Sequence, residues 1–285
     1  MSEIIDGKAL AAEIKQNLQK KAEEFENRYG RKITLAVILV GENPASCVYV
    51  NNKVKAAEFV GIKSLSFKLP ENALETDVIK VVEYLSEDKS VDGILVQLPL
   101  PKHINEEKIL SLIPPEKDVD GFTAENVGNT TLFKDCINSC TPAGIIYMLK
   151  SIDVPLCGKH AVIIGRSNIV GKPVALLLLK ENCTITVCHS KTENLSGITK
   201  QADILIAAIG KPKFVKADMV KEGAVVIDVG FNRTDNGLCG DVDFEGVNDR
   251  AAYISPVPGG VGPMTIAMLM QNAYKCAVRR ENAGL

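Results

Sequence analysis

Tyr49 and Lys53, four residues apart in the segment YVNNK, would share one face of a helix. A phenol beside an amine can hold a polar ligand or move a proton. The same spacing also describes a packed ring and a solvated amine. Gln97 adds an amide at the carboxyl end of the apolar run GILVQLPLP. Open α/β sheets bind ligands at that end of their strands, although an amide there can also cap a sheet edge. KDVDGF (117–122) offers Asp118 and Asp120 beside Gly121. At least one of the two belongs to the turn. The other can accept paired N–H hydrogen bonds from a neutral, donor-rich heterocycle.

A further constellation lies in residues 160–190, HAVIIGRSNIVGKPVALLLLKENCTITVCHS, which read as strand, glycine turn, helix and second strand. In a dinucleotide fold the turn receives a pyrophosphate on the helix N-terminus, and the end of the second strand meets the adenosine ribose. An Asp or Glu there would favour a 2'-hydroxyl. This chain has His189, Ser190 and Lys191 instead, with Arg166 in the turn. Charge-assisted hydrogen bonds from such groups suit a 2'-phosphate, so the residues point to NADP rather than NAD. The turn departs from GxGxxG by carrying Ser167 where the second glycine would stand, and that hydroxyl can add to the pyrophosphate contacts. PVPGGVGPMT (256–265) is too rich in glycine and proline for an ordinary helix start. It either lines a ligand cavity with backbone or makes a tight domain connection.

Elements that could position these groups follow from periodicity. Leu10, Ile14, Leu18, Ala22 and Phe25 recur at helical spacing before Gly30. The apolar run 33–41 suits a buried parallel strand, with a helix over about 45–60, a strand at 62–69, a helix at 74–88 and a strand at 92–101. Helices are expected at 105–112 and 142–151, with a long ordered loop over 114–128. A second series has strands near 160–165, 184–188, 203–209, 224–229 and 251–255, and a final helix covers about 264–280. The expected class is α/β with two domains: an N-terminal α/β substrate domain and a C-terminal Rossmann-like parallel sheet, the last helix packing back on the first. The expected boundaries are 1–145 plus 266–285 for the first and 146–265 for the second.

The chain of 285 residues is 46% hydrophobic and 24% charged, which suits a soluble globular protein. A formal net charge of -2 supplies no global field for nucleic acid or anionic membrane, so small-molecule partners are expected. Eight cysteines without CxxC pairs, and three histidines, argue for buried reduced thiols and no metal site. The N-terminal residues lack the pattern of a secretory signal and no apolar run is long enough to span a bilayer, so a reducing cytoplasm is expected.

With these segments in this order, the sequence closely resembles the bifunctional methylenetetrahydrofolate dehydrogenase/methenyltetrahydrofolate cyclohydrolase family. The likeness runs from Ile4 to Arg280 and rests on YVNNK, GILVQLPLP, KDVDGF, GRSNIVGKP and PVPGGVGPMT together. The resemblance implies NADP-dependent oxidation of 5,10-methylenetetrahydrofolate to the methenyl form, then hydrolysis to 10-formyltetrahydrofolate, within the one-carbon metabolism that serves purine biosynthesis. It also implies a homodimer formed through the nucleotide domain.

Carried onto this chain, the resemblance makes Lys53 the key catalytic group, with Tyr49 over the aminobenzoyl part of folate, Gln97 against Lys53 and Asp120 on the pterin. Leu98, Pro99 and the stretch Pro258, Gly259, Gly260, Val261 and Gly262 would line the folate site. Gly165, Arg166, Ser167 and Ser190 would contact NADP, with Phe231 beside it. NSCTP (138–142) departs from relatives that carry proline directly before the CTP or ATP. A short-chain dehydrogenase also pairs Tyr and Lys as YxxxK, but after its nucleotide turn, whereas here the pair precedes it. A non-catalytic folate or NADP sensor and a relative with one activity are the remaining alternatives.

Overall fold

The computed structural model describes residues 1–235 and 237–284. Its strands are β1 (Glu3–Ile4), β2 (Thr34–Val40), β3 (Lys63–Leu69), β4 (Gly93–Val96), β5 (His160–Ile164), β6 (Thr184–Cys188), β7 (Ile204–Ala207), β8 (Val225–Asp228), β9 (Asn232–Thr234), β10 (Gly237–Cys239) and β11 (Tyr253–Ile254). The chain forms two compact units, one of residues 12–140 with 266 onward, the other of residues 1–11 with 141–265. Asn236 and Leu285, inside the expected domain ranges, lie outside the described residues.

The first unit is built on a parallel sheet in the order β3-β2-β4. Every residue of β2 and β4 is buried, as the continuous apolar runs 34–40 and 93–96 require of parallel strands. β4 stops at Val96, short of the expected 101, because Pro99 and Pro101 have no N–H to give a ladder. Beyond β4 the chain segment at Asp118 makes a parallel bridge to Ile94, and Ile94 N donates to Lys117 O at 2.8 Å. Gly93 permits this approach, since a Cβ there would stand 2.3 Å from Val119 Cγ1.

The last helix, Val261–Ala283, belongs to this unit from residue 266. Its Asn272 Nδ2 donates to Val119 O and Asn138 O, both at 2.9 Å. Nearer its end, Arg280 Nη1 meets Asp92 Oδ1 at 3.0 Å. Asp92 is wholly buried and also takes a two-point contact from Arg31, at 2.8 Å on each oxygen, and the Thr34 amide at 2.9 Å. This cluster fastens the helix to the amino end of β4.

The second unit carries a six-stranded sheet, all parallel, in the order β1-β11-β8-β7-β5-β6. Its first edge corrects the expected boundary: residues 1–11 belong here rather than with the first domain. Glu3 and Ile4 pair with Tyr253 and Ile254, and Lys8 N donates to Gly259 O at 2.8 Å. A two-residue strand carries no periodicity that sequence could show. The antiparallel pair β9–β10 was not expected either.

The expected loop over 114–128 is shorter than its composition suggested, because Ala124–Thr131 is helical with Thr123 as its N-cap. AENVGNTT has no apolar stripe, so tertiary contacts rather than pattern define that helix.

Removing the Asp92 charge leaves Arg280 buried without its partner, a loss of about 3–5 kcal/mol for a buried pair broken on one side. Asp92→Asn is therefore expected to lower the unfolding free energy by an amount of that order, read from the urea midpoint and slope in equilibrium unfolding.

Candidate active site

Tyr49 and Lys53 lie half-buried on the helix Pro44–Val60. Gln97 is the first residue past β4, its backbone N–H still donating to Ile38 O at 2.9 Å. The Lys53 ammonium donates to Gln97 Oε1 at 2.9 Å. Gln97 Nε2 donates in turn to Leu98 O at 2.6 Å. A carbonyl only accepts, so this second bond fixes which end of the amide faces the lysine. The amine is thus held by an acceptor whose own orientation is locked. Leu98 leads into Pro99 through a cis peptide bond. Burial pushes the Tyr49 phenol above its ordinary pKa.

The two aspartates divide as turn chemistry anticipates. Asp118 is buried and fully engaged, accepting from Gly121 N at 2.9 Å, Thr123 N at 2.8 Å and Asn126 Nδ2 at 3.0 Å. Gly121, at φ +69°, has room only for a hydrogen, because a Cβ would lie 2.6 Å from Ile137 O. Asp120 keeps some exposure as a residue. Its carboxyl is pushed from 3.8 to about 6, first by burial, with the Asp118 charge adding and the Lys53 charge opposing. Lys53, Gln97 and Asp120 are therefore one electrostatic cluster within the first unit.

Cys140, in the NSCTP segment, was read only as a buried thiol, but it belongs to this cluster. Its Sγ lies 3.4 Å from Val119 O and 3.9 Å from Asp120 Oδ1, and Asn272 Nδ2 reaches it at 3.4 Å. Burial, and then the Asp120 charge, hold the thiol well above its ordinary pKa. Asn272 had a visible signal: an amide at helical spacing between the buried Met268 and Cys276.

In the second unit the glycine turn follows β5. Gly165 has φ +127°, and a Cβ there would stand 2.2 Å from Ala208 O. At Gly171 a Cβ would stand 2.3 Å from Gly165 O. The turn is folded onto bare backbone, the surface a pyrophosphate needs at the start of the helix Gly171–Lys180. Ser167 does more than expected locally, its Oγ accepting from Val170 N at 3.2 Å and Gly171 N at 3.3 Å, which leaves its O–H proton to donate outward.

Register places Arg166 and Ser190 at equivalent points, each two residues past the paired Ile164 and Cys188. Both are exposed. No carboxylate closes β6, whose end turns back through His189 N donating to Thr192 Oγ1 at 2.8 Å. Phe231, 49% exposed, follows β8.

Pro258–Gly262 also lies in the second unit, apart from the unit that holds Lys53. Part of its glycine content is packing, since a Cβ on Gly7 would sit 2.0 Å from Gly260 O and one on Gly260 would sit 2.5 Å from Pro256 O. Gly262 has open space around its Cα.

A parallel sheet with a glycine turn at the start of a helix, in one chain with a lysine, amide and carboxylate cluster, is the arrangement of a two-domain nicotinamide-nucleotide dehydrogenase. The chain belongs to the tetrahydrofolate dehydrogenase/cyclohydrolase family, whose catalytic-domain model matches residues 5–120 and whose NAD(P)-binding-domain model matches residues 139–281. It is 55% identical over 280 residues to the bifunctional protein FolD of Agathobacter rectalis, covering 98% of this chain and 100% of that one. The crystal structure of the bifunctional enzyme FolD from Campylobacter jejuni superposes with a TM-score of 0.96 at 51% identity, over 98% of this chain and 100% of that one. The Trypanosoma brucei enzyme, complexed with NADP cofactor and inhibitor, does so with a TM-score of 0.94 at 39% identity, over 98% of each chain. The protein is an NADP-dependent methylenetetrahydrofolate dehydrogenase and methenyltetrahydrofolate cyclohydrolase.

Gly165→Ala forces a side chain into a left-handed backbone position and against Ala208. It is expected to raise the KM for NADP by about 10-fold or more, given a strain of roughly 1–3 kcal/mol, while methenyltetrahydrofolate hydrolysis is unchanged. Steady-state kinetics of the two reactions checks the split.

Proposed function

We propose that Lys53, oriented by Gln97, handles the proton of the hydrolytic step, that Asp120 with Tyr49 holds the folate, and that Arg166, Ser167 and Ser190 at the Gly165 turn hold NADP. The observation that carries this reading is the 2.9 Å bond from Lys53 Nζ to an amide already fixed on Leu98 O. NADP, when bound, accepts the hydride from the one-carbon bridge of the substrate. That step asks the chain for alignment and exclusion of water rather than for an acid or base.

Hydrolysis differs. Water adds to the methenyl carbon and must release a proton as the new C–O bond forms, and the bridging C–N bond then breaks to leave the 10-formyl product. An amine held at one point by Gln97 can take the proton from water or deliver one to the departing ring nitrogen. Asp120, as a carboxylate, accepts two N–H bonds from the pterin edge, and Leu98 and Pro99 line the folate beside it. Phe231 offers an apolar face to the cofactor.

The enzyme works as a homodimer through its nucleotide unit, with no nucleic acid or membrane partner, in the cytoplasm, supplying formyl groups for purine synthesis. No helix among the described residues is long and apolar enough to cross a membrane.

One spectrophotometric run tests the whole assignment, following the appearance and decay of the methenyl chromophore with methylenetetrahydrofolate and each nicotinamide cofactor. Lys53→Met is expected to cut cyclohydrolase kcat by about 100-fold or more, the range for loss of a positioned acid or base, in a protein that still binds NADP. Full hydrolysis by that folded variant would remove Lys53 from the mechanism. Asp120 predicts an acid limb as well. Its ionised, accepting form is lost as pH falls through about 6, so the KM for folate should rise below that value. Measured on the cyclohydrolase reaction, which consumes no NADP, the limb should vanish in Asp120→Asn.

A further inference from the structure

Two buried carboxylates in the second unit take no part in the chemistry just described. Asp228, the last residue of β8, accepts from Gly230 N at 2.9 Å, Asp241 N at 2.8 Å and Val242 N at 2.9 Å. Asp241 accepts from three successive amides, Ile209 N at 2.6 Å, Gly210 N at 2.9 Å and Lys211 N at 2.8 Å, and from Asn232 Nδ2 at 2.9 Å. One side chain therefore ties the loop leaving β7 to the segment leaving β8. The packing leaves no slack, because a Cβ on Gly240 would stand 1.8 Å from Asp228 Oδ2 and one on Gly230 would stand 2.3 Å from Asp241 N.

The position of these loops gives the arrangement a purpose. Chain order in the sheet reverses at β5, with β6 on one side and β7 then β8 on the other. A dinucleotide lies across the carboxyl ends at such a switch point. Arg166 and Ser190 mark the β5–β6 side as the adenosine half, so the loops past β7 and β8 face the nicotinamide half. The two halves touch at the switch itself, where Gly165 approaches Ala208.

We infer that Asp241 is a positioning residue for hydride transfer: by gathering amides 209–211 and Asn232 it fixes the two loops, Phe231 included, against which the nicotinamide ring is aligned. The inference rests on the cofactor assignment proposed above. Asp241 is wholly buried under its four donors, so its effect falls on alignment of the ring and leaves recognition of the 2'-phosphate alone.

The test uses Asp241→Asn in the full chain, with adenosine 2',5'-bisphosphate as a probe that contains the 2'-phosphate half of NADP and no nicotinamide. Asp241→Asn is expected to lower dehydrogenase kcat by about 10-fold or more, as misplacement of a reacting group does. The same variant should bind the bisphosphate with wild-type affinity by titration calorimetry and hydrolyse methenyltetrahydrofolate at the wild-type rate. Unchanged dehydrogenase kinetics would overturn the inference, and so would loss of bisphosphate binding in step with kcat, which would mean general collapse of the unit. If Asp241→Asn does not fold, Asn232→Ala decides, since it removes one donor and leaves three on Asp241. The same split at smaller amplitude supports the inference, and wild-type dehydrogenase kinetics overturns it. Failure of the unaltered protein to bind the bisphosphate would instead sink the assignment of Arg166 and Ser190, and this inference with it.

Discussion

A buried backbone N–H needs an acceptor, and where a parallel strand ends the ladder ceases to supply one. This chain answers the constraint the same way three times. Asp118 beside β4, Asp228 at the end of β8, and Asp241 in the segment after β10 each collect several donors. A carboxylate has about four lone-pair sites, so one side chain can set the path of a whole loop. For two of them the ordered loop then presents a different residue. Asp118 organises the turn that carries Asp120, and Asp241 organises the segments around Phe231.

The lysine site depends on that order. Lys53 comes from a helix, Gln97 from the end of β4, and Asp120 from the loop bridged to the edge of β4. Lys53 and Gln97 are hydrogen-bonded, and the charge of Lys53 acts on Asp120. Such a cluster needs the loop fixed to within a fraction of an ångström, and the Asp118 bonds together with Asn272 on Val119 O supply that rigidity.

Much of this was legible before any coordinates. β2, β5 and β8 announce themselves as apolar runs, and the helix Gly7–Tyr29 covers the periodic residues Leu10 to Phe25 and ends just before Gly30. Tyr49 and Lys53 stand out by their four-residue spacing, Gln97 as an amide at the end of an apolar run, and Arg166 as a basic residue in the glycine turn. What stayed hidden depends on long-range pairing. β1 is two residues long and exists only because β11 receives it. The helix Ala124–Thr131 lacks a stripe and is held by its cap and its neighbours. Asp241 looks like any aspartate after glycine until its four donors, from two separate loops, are seen to converge.

Because the chain passes between the two units three times, near residues 11, 140 and 265, neither unit is a continuous stretch of sequence. Synthesis on the ribosome then has a fixed schedule. The nucleotide unit has all its described strands by Ile254, whereas Asp92 must wait for Arg280 to receive its buried counter-charge. The nucleotide unit starts first and the unit bearing Lys53 closes last, so a nascent chain holds every described strand of both units before the buried Asp92–Arg280 pair can form.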